Sequence, residues 1–321
     1  MIKTLTIENF KSIKKMEMDC RRINLFIGEP NTGKSNILEA FGLVSFCCNS
    51  ISSSKLKDYI RFEHIQYLYY DSIVDKPIKI GLTGQNTLLI QMSYDKDNFY
   101  IHYNDEKEPL MELDYNGEPC SRKNKIGSIF FYRFTGLEKI DNPQIEPLLA
   151  PNGKNLFMAA YSSKENREMI SNLFKQYGLK AVFKPHEKKI ELQKQEENIA
   201  VSYPLMMMSD TMQRIIFYLL AIRTNKDAVL VFEEPESHAF PYYTKHLGEI
   251  IAADKSNQYF IATHNPYLLY AIIEKADKND VNVCVTYYRD YQTKVKKLGP
   301  REIELLLDQD PFLSLDHFIG D

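Results

Sequence analysis

One stretch constrains the fold more than any other: an apolar run leads into a glycine loop and then a helical pattern at INLFIGEPNTGKSNILEA, residues 23–40. Residues 28–35, GEPNTGKS, fit G-x-x-x-x-G-K-[ST] between a predicted strand and a predicted helix. The glycines let backbone N–H groups turn inward around phosphates, and the helix N-terminus adds a positive dipole. We expect Lys34 to reach the β- and γ-phosphates and the Ser35 hydroxyl to ligate Mg²⁺. The residues expected to line this site are Gly28, Glu29, Pro30, Asn31, Thr32, Gly33, Lys34, Ser35 and Asn36.

Two later apolar runs end in side chains suited to phosphate chemistry. AVLVF is followed by Glu233 and Glu234 within AVLVFEEPESHAFP, and QYFIATHNP carries His264. An acid after a hydrophobic strand can be brought to Mg²⁺, so we expect Glu233 to hold the metal and Glu234 to act as general base. His264 follows the next strand, where a parallel sheet delivers its functional groups, and could hydrogen-bond the γ-phosphate. The alternatives are a strand that ends at a charged surface loop and a buried structural histidine.

The run MMMSDTMQR, residues 206–214, precedes an apolar helical pattern. Asp210 and Gln213 fit a D-x-x-Q capping box, so one interpretation is simply the start of a helix. The other interpretation is that this N-terminus, with Ser209 exposed on it, offers N–H groups to an anion. We expect the three methionines to fill core space rather than to form a binding surface.

Hydrophobic periodicity divides the chain into regions. Short alternating segments separated by turn residues predict antiparallel sheet over about residues 76–134, including IGSIFFYRF. A helical pattern, NLFMAAYSSKENREMISNLFKQYG, ends at Gly178. From Met206 onward apolar strands alternate with helices, which is typical of a parallel sheet covered on both faces.

Composition excludes some classes of function. The 321 residues carry a formal net charge of −3, so the chain as a whole is not a polybasic nucleic-acid binder. The cluster FKSIKK, with Arg21 and Arg22, suits either a local nucleic-acid contact or a solvated edge beside a strand. The five cysteines form no C-x-x-C pair, and no apolar run approaches the roughly 18 residues that span a membrane. We therefore expect a cytoplasmic protein with reduced thiols.

Five segments together resemble one family. They are IENFKSI, LFIGEPNTGKSNILEAF, SDTMQR, FEEPESHAFP and THNP. The chain resembles the ABC-class ATPases of the SMC, RecF and OLD group, and more narrowly the prokaryotic AAA-family ATP-binding proteins whose acidic motif reads EEPE-x-H. The resemblance implies an α/β fold of the P-loop NTPase type, like an ABC-ATPase head. Such a head has a mostly parallel sheet flanked by helices, an antiparallel β lobe and a helical insertion.

The resemblance also implies roles for the motifs. Residues 28–35 would be Walker A, Glu233 and Glu234 the end of Walker B, and His264 the switch histidine. In this class the signature of one subunit closes over the ATP held by another, so the implied active unit is a head-to-head homodimer with ATP and Mg²⁺ as cofactors. The signature residues expected to face the nucleotide of the other copy are Ser209, Asp210, Thr211 and Gln213.

Three features depart from the family pattern. Glu233 stands where Asp is usual, and Thr211 stands where the signature has Gly, which hinders close backbone approach to the γ-phosphate. The metal-sensing glutamine has three candidates: Gln66, Gln91 and Gln144.

We expect a single ATPase head with four parts. These are residues 1–75 with the phosphate loop, 76–143 as the antiparallel lobe, 144–205 as a helical and β insertion, and 206–321 as the core with signature, Walker B and switch histidine.

The expected function is an ATP-hydrolysing switch that controls a nucleic-acid-linked activity in genome maintenance or anti-phage defence. Its expected partners are a second copy, a separately encoded nuclease or effector, and DNA or RNA, with no membrane. The alternative is a nucleotide-sensing scaffold that binds ATP with little hydrolysis and assembles other proteins. A nuclease domain is not expected, because Asp95 and Asp97 fall in a predicted hairpin turn. A small-molecule kinase would explain neither EEPE-x-H nor THNP.

Overall fold

The structure, a computed structural model, describes residues 1–48, 55–104, 106–122, 127–137, 143–197, 199–308, 312 and 315–319. The strands are β1 (Ile2–Phe10), β2 (Ile13–Asp19), β3 (Ile23–Ile27), β4 (Ile78–Gly84), β5 (Thr87–Asp95), β6 (Asn98–Tyr103), β7 (Met111–Leu113), β8 (Pro119–Arg122), β9 (Ile129–Tyr132), β10 (Lys180–Lys184), β11 (Lys189–Glu196), β12 (Ile199–Pro204), β13 (Val229–Glu233), β14 (Gln258–Ala262), β15 (Val281–Arg289) and β16 (Gln292–Lys297). The α-helices are α1 (Lys34–Cys48), α2 (Leu56–Tyr59), α3 (Leu156–Tyr161), α4 (Lys164–Lys175), α5 (Asp210–Thr224), α6 (Pro241–Ala253), α7 (Pro266–Lys275), α8 (Pro300–Asp308) and α9 (Asp316–Ile319).

A six-stranded sheet forms the core. Its order is β16-β15-β3-β14-β13-β9, and each neighbouring pair is parallel except β15 with β16. Strands β3 and β14 are buried at every residue, as parallel strands covered on both faces should be. Helix α1 packs against β9, β13 and β14, and α6 packs against α7. The α/β class predicted from the apolar strands is confirmed.

A seven-stranded antiparallel sheet has the order β2-β1-β4-β5-β6-β7-β8. It contains the alternating strands predicted after residue 76, and it also takes in β1 and β2 from the start of the chain. Lys96 and Asp97 have positive φ in the two-residue loop between β5 and β6. The predicted hairpin is therefore confirmed, with Asp97 in its turn, whereas Asp95 is the last residue of β5.

The prediction that IGSIFFYRF belongs to the antiparallel region was wrong. Strand β9 pairs in parallel with β13, and all four of its residues are buried. Such a short apolar run follows several alternating strands, and periodicity alone cannot show which sheet it joins. Its position at the edge of the core sheet brings the carboxyl end of β9 beside that of β13.

Between β9 and α5 the chain forms helices and a small sheet. Helices α3 and α4 pack against each other and against α5, and β10, β11 and β12 form a separate antiparallel sheet. A single 3₁₀ turn, Leu205–Met207, leads from β12 to α5. In the described part of the chain, every helix is too short or too polar to cross a bilayer.

The amino end of β3 is held by a buried arginine. Arg22 directly precedes β3, and its side chain is 3% exposed. Its Nε donates to the Asp280 carboxylate at 2.9 Å. Its Nη groups donate to carbonyls at the end of α6, those of Ile251, Ala252 and Asp254. A cation at this position satisfies the last carbonyls of the helix and interacts favourably with its dipole.

We therefore expect Arg22→Gln to lower the free energy of unfolding by about 2 kcal/mol, because Asp280 loses its partner and the α6 carbonyls lose donors. Urea denaturation followed by circular dichroism measures the change. Arg301→Gln, at an exposed position of α8, is the matched control and should change stability by less than about 0.5 kcal/mol. Equal stability of the two variants would contradict this account of the sheet's amino end.

Candidate functional site

The loop between β3 and α1 curls around the amino group of Lys34. Lys34 Nζ donates to the carbonyls of Gly28 at 2.8 Å and Glu29 at 2.7 Å. Gly33 has a φ of 98°, and a Cβ there would lie 2.0 Å from Thr293 Oγ1. Only glycine fits at this position, because both the backbone conformation and the space exclude a side chain. The loop thus holds the Lys34 ammonium on the carbonyl groups of its first two residues.

Hydroxyl groups from distant parts of the chain support the loop. The Thr32 and Thr286 hydroxyls are 2.8 Å apart, and Thr293 Oγ1 donates to the Thr32 carbonyl at 3.0 Å. Ser12 Oγ is 2.6 Å from Thr293 Oγ1 and accepts a hydrogen bond from Asn36 Nδ2, also at 2.6 Å. Sequence reasoning missed Thr286 and Thr293, because they lie on β15 and β16 at the far end of the chain and belong to no local motif.

The outer side of the loop is open. Glu29, Pro30 and Asn31 are exposed, whereas Ser35, the second residue of α1, is half-buried. The three exposed residues and the end of β15 border a cavity of about 670 Å³. A cavity of this size beside a phosphate loop can accommodate the rest of a nucleotide.

The structure brings Glu234 and His264 together beside Lys34. The Glu234 N–H donates to the Ala262 carbonyl, and its Oε1 lies 3.5 Å from His264 Nε2. Burial lowers the pKa of Lys34 to about 8, although the carboxylates of Glu234 and Glu29 oppose the shift. Burial and the Lys34 charge lower the pKa of His264, with Glu234 acting in the opposite direction. Lys34, Glu234 and His264, predicted from three separate motifs, are thus close enough for their charges to interact.

Glu236, the third acid of EEPE, was not assigned to the site from the sequence. Its side chain is buried, and its Oε1 accepts from Thr263 Oγ1 at 2.6 Å and from the His264 N–H at 3.2 Å. Burial raises the pKa of Glu236 to about 7. Because it holds the backbone on which His264 sits, Glu236 positions the histidine.

The carboxylate of Glu233 is held by two arginines. Its Oε1 accepts from Arg61 Nη2 at 2.6 Å, and its Oε2 accepts from Arg133 Nε at 2.7 Å. The Nη2 of Arg133 is also 2.7 Å from this oxygen. The side chain of Glu233 is only 9% exposed, so these contacts are largely shielded from water.

Glu39, on α1, joins the same two arginines from the other side. Its side chain is fully buried and accepts from Arg61 Nε at 2.8 Å, from Arg133 Nη2 at 3.0 Å and from Lys11. Burial alone would raise the pKa of Glu39, but the three cations outweigh it and lower the pKa. Lys11, the first basic residue of FKSIKK, is therefore part of a buried ion-pair network rather than a solvated edge.

The residues present fit Mg²⁺ in part. The Ser35 hydroxyl is an oxygen donor at the start of α1, as Mg²⁺ bound with a nucleotide requires. Both oxygens of Glu233 accept from guanidinium groups, so in this arrangement its carboxylate is not free to ligate a cation. The described residues contain no cluster of three His, Cys, Asp or Glu side chains suited to a metal.

The predicted signature lies at the start of α5. Ser209 is the N-cap and accepts from the Met212 N–H, so the capping box proposed for Asp210 and Gln213 was wrong. Asp210 instead pairs with Arg214 at 3.3 Å, one turn along the helix. Gln213 Nε2 donates to carbonyls of the preceding turn, those of Met206 and Met208.

Thr211 connects this helix start to the loop after β13. Its Oγ1 donates to the His238 carbonyl at 3.1 Å. Within the described residues, no hydrogen bond or ion pair joins residues 209–213 to the phosphate loop. The polar contacts of the predicted signature are thus to its own helix start and to the loop after β13.

An apolar surface borders the predicted signature. Met206 and Met207 are 49% and 71% exposed, so the expectation that they fill core space was wrong. Ser209 and Thr211 border a cavity of about 680 Å³ together with aromatic residues that include Phe240 and Tyr242. The exposed aromatic side chains at this cavity indicate an interaction surface.

The three candidate glutamines are spread over the fold. Gln66 lies in a 3₁₀ turn, Gln91 lies within β5, and the Gln144 carbonyl accepts from Asn155 Nδ2. The strand end that adjoins Glu233 instead carries Arg133, directly after β9.

Parts of the chain are similar in sequence to known proteins. The DNA replication and repair protein RecF of Thermoanaerobacter sp. strain X514 is 32% identical over 101 residues, which are 30% of this chain and 27% of that protein. RecF of Clostridioides difficile strain 630 is 30% identical over 113 residues, 35% of this chain and 28% of that protein. The chain therefore matches less than a third of the length of these relatives.

Two solved structures share the fold. The SMC head bound to the C-winged helix domain of ScpA has a TM-score of 0.56 at 15% identity, covering 94% of this chain and 99% of that one. The Smc head with an extended coiled coil bound to the C-terminal domain of ScpA, derived from Pyrococcus furiosus, has a TM-score of 0.56 at 12% identity, covering 96% and 98%. The resemblance to SMC and RecF ATPases is confirmed. Residues 1–208 match the AAA ATPase domain family, and the chain belongs to that family.

Proposed function

We propose that this protein is an Mg²⁺-dependent ATPase that works as a switch, in which two copies close head to head over two ATP molecules. One observation carries the proposal: Lys34, Glu234 and His264 meet at one edge of the core sheet, whereas no hydrogen bond or ion pair among the described residues joins residues 209–213 of the same chain to the phosphate loop. A second copy would supply the missing half of the site. Such closure is driven by the greater affinity of ATP for the closed state.

Each residue of the half-site has a role in this proposal. Lys34 and the loop N–H groups bind the phosphates, and Ser35 holds Mg²⁺, which neutralises phosphate charge when bound. Glu234 accepts a proton from the attacking water, and His264 hydrogen-bonds the terminal phosphate. The Ser237 hydroxyl donates to Glu234 Oε2 at 3.0 Å and helps to fix the base.

The exposed apolar surface beside the predicted signature supports the same dimer. Aromatic and methionine side chains are enriched at the buried centre of protein interfaces. Phe240 and Tyr242 are 66% and 65% exposed and lie near Ser209, so closure over the signature would cover them.

The switch would control a partner that acts on DNA or RNA, such as a separately encoded nuclease or effector. RecF is by name a DNA replication and repair protein, and the two SMC heads were solved with domains of ScpA. These similarities support a nucleic-acid-linked role in genome maintenance or anti-phage defence by analogy of fold and motif.

A second candidate is a scaffold that binds ATP and scarcely hydrolyses it. Two contacts favour it: the Thr211 hydroxyl is engaged with His238, and Glu233 is engaged with arginines. Steady-state phosphate release, measured with and without DNA, separates the candidates. Turnover that depends on Glu234 supports the ATPase, and ATP binding without turnover supports the scaffold.

Replacing the proposed base should trap the closed dimer. We expect Glu234→Gln to bind Mg²⁺–ATP, to hydrolyse it at least about 100-fold more slowly than wild type and to elute as a dimer with ATP. Size-exclusion chromatography with light scattering measures the mass. Glu304→Gln, an exposed residue of α8, is the control and should behave as wild type. A Glu234→Gln protein that binds ATP and stays monomeric would contradict the dimer.

The affinity for ATP should fall at alkaline pH. The pKa of Lys34 is about 8 in the free protein, and bound phosphate would raise it, so above pH 8 binding must take up a proton. The dissociation constant should then rise towards tenfold per pH unit, as measured by fluorescent ATP titration between pH 7 and 9.5.

Lys34→Arg is the control for this titration. Its guanidinium stays charged over this range, so its ATP affinity, although weaker, should not vary with pH. An ATP affinity of the wild type that stays constant to pH 9.5 would contradict the role of the Lys34 charge.

A further inference from the structure

Five charged side chains link α1 to the end of β13 in space and form a network with excess positive charge. It contains Lys11, Arg61 and Arg133 against Glu39 and Glu233, so its formal charge is one positive unit. The two carboxylates are 0% and 9% exposed, Lys11 is 14% and Arg133 17% exposed, whereas Arg61 is 60% exposed. Arg61 is therefore solvated, and the other four side chains are largely shielded from water. The excess positive charge of the network favours a negatively charged ligand nearby.

Arg133 is the cation held most firmly in this network. Its Nε and Nη2 groups donate to Glu233 and Glu39, and its guanidinium lies 5.0 Å from the centre of the Phe131 ring. These contacts use the Nε and Nη2 groups. The Nη1 group has no hydrogen-bond acceptor among the described residues. The Nη1 group of a fixed guanidinium is thus left for a ligand.

The two carboxylates that hold Arg133 belong to the elements that carry Ser35 and Glu234. Glu39 follows Ser35 by four positions on α1, so the two side chains lie on the same face, one helical turn apart. Glu233 directly precedes Glu234, whose carboxylate acts on the pKa of Lys34. Arg133 is therefore anchored by neighbours of both the Mg²⁺ residue and the proposed base.

We propose that Arg133 is a phosphate-binding residue that donates through Nη1 to the terminal phosphate of ATP, with Glu39 and Glu233 as the residues that position it. This assignment rests on the proposed function, since it requires ATP at the loop. Under it, Glu233 serves the nucleotide by orienting a guanidinium and not by ligating the metal. Because ADP lacks the terminal phosphate, Arg133 should make the site prefer ATP to ADP.

A purely structural ion pair would have a different signature. Loss of a structural pair lowers stability and weakens the binding of ATP and ADP alike. Loss of a terminal-phosphate contact weakens the binding of ATP alone. Charge-assisted hydrogen bonds of this kind contribute roughly 10- to 100-fold in affinity.

The test is titration of wild type and variants with fluorescent ATP and ADP in the presence of Mg²⁺. Arg133→Gln should lower the affinity for ATP roughly 10- to 100-fold and the affinity for ADP by less than about threefold. Arg133→Lys keeps the charge but loses the fork, so its loss of ATP affinity should be intermediate. Arg22→Gln removes another buried arginine, at the amino end of the core strands, and should leave the ratio of ATP affinity to ADP affinity unchanged.

The possible outcomes separate the two proposals. In one outcome, the wild type binds ATP while both Arg133→Gln and Arg133→Lys keep its ratio of ATP affinity to ADP affinity. That result would overturn the assignment of Arg133 and leave the proposed function standing. Wild type that binds neither nucleotide would overturn the proposed function and the assignment with it. Thermal melting of each variant confirms folding, and Arg133→Lys decides the question if Arg133→Gln does not fold.

Discussion

The buried carboxylate of Glu39 is the constraint around which the candidate site is arranged. It lies on the helix that begins at the phosphate loop, and it is fully removed from solvent. Lys11 reaches it from the turn between β1 and β2, Arg61 from the segment after α2, and Arg133 from the end of β9. Because an isolated buried carboxylate is too costly to stay ionised, these elements must converge on it. The two arginines then extend the network to Glu233 at the end of β13.

Because of this network, the first acid of the motif has different contacts from those predicted. In the sequence, two acids after an apolar strand indicate a metal ligand and a general base. In the structure they face different neighbours: Glu233 faces arginines, whereas Glu234 faces His264 and Ser237. A glutamate at the first position has one methylene more than aspartate to reach those guanidinium groups. The departure from the family pattern therefore matches a feature of this chain's own packing.

The sequence predicted the parts of the fold and site that depend on local order. Fully apolar strands that alternate with helices predicted the parallel core, and the phosphate loop lies between β3 and α1 as its motif indicates. The supports of the site could not be predicted, because Thr286, Thr293, Arg61 and Arg133 belong to no motif and reach the site only through tertiary packing. The four residues of β9 were misplaced for a related reason: strand pairing, not periodicity, decides to which sheet a short apolar run belongs.

The central claim is that one chain holds half of a nucleotide site and that a second copy completes it. The most direct measurement is a structure of Glu234→Gln crystallised with Mg²⁺ and ATP. We expect two chains related by a twofold axis, with Ser209 of one chain at the terminal phosphate of the ATP held by Lys34 of the other. A nucleotide bound at the loop of a single chain, with residues 209–213 of every copy facing solvent, would contradict it.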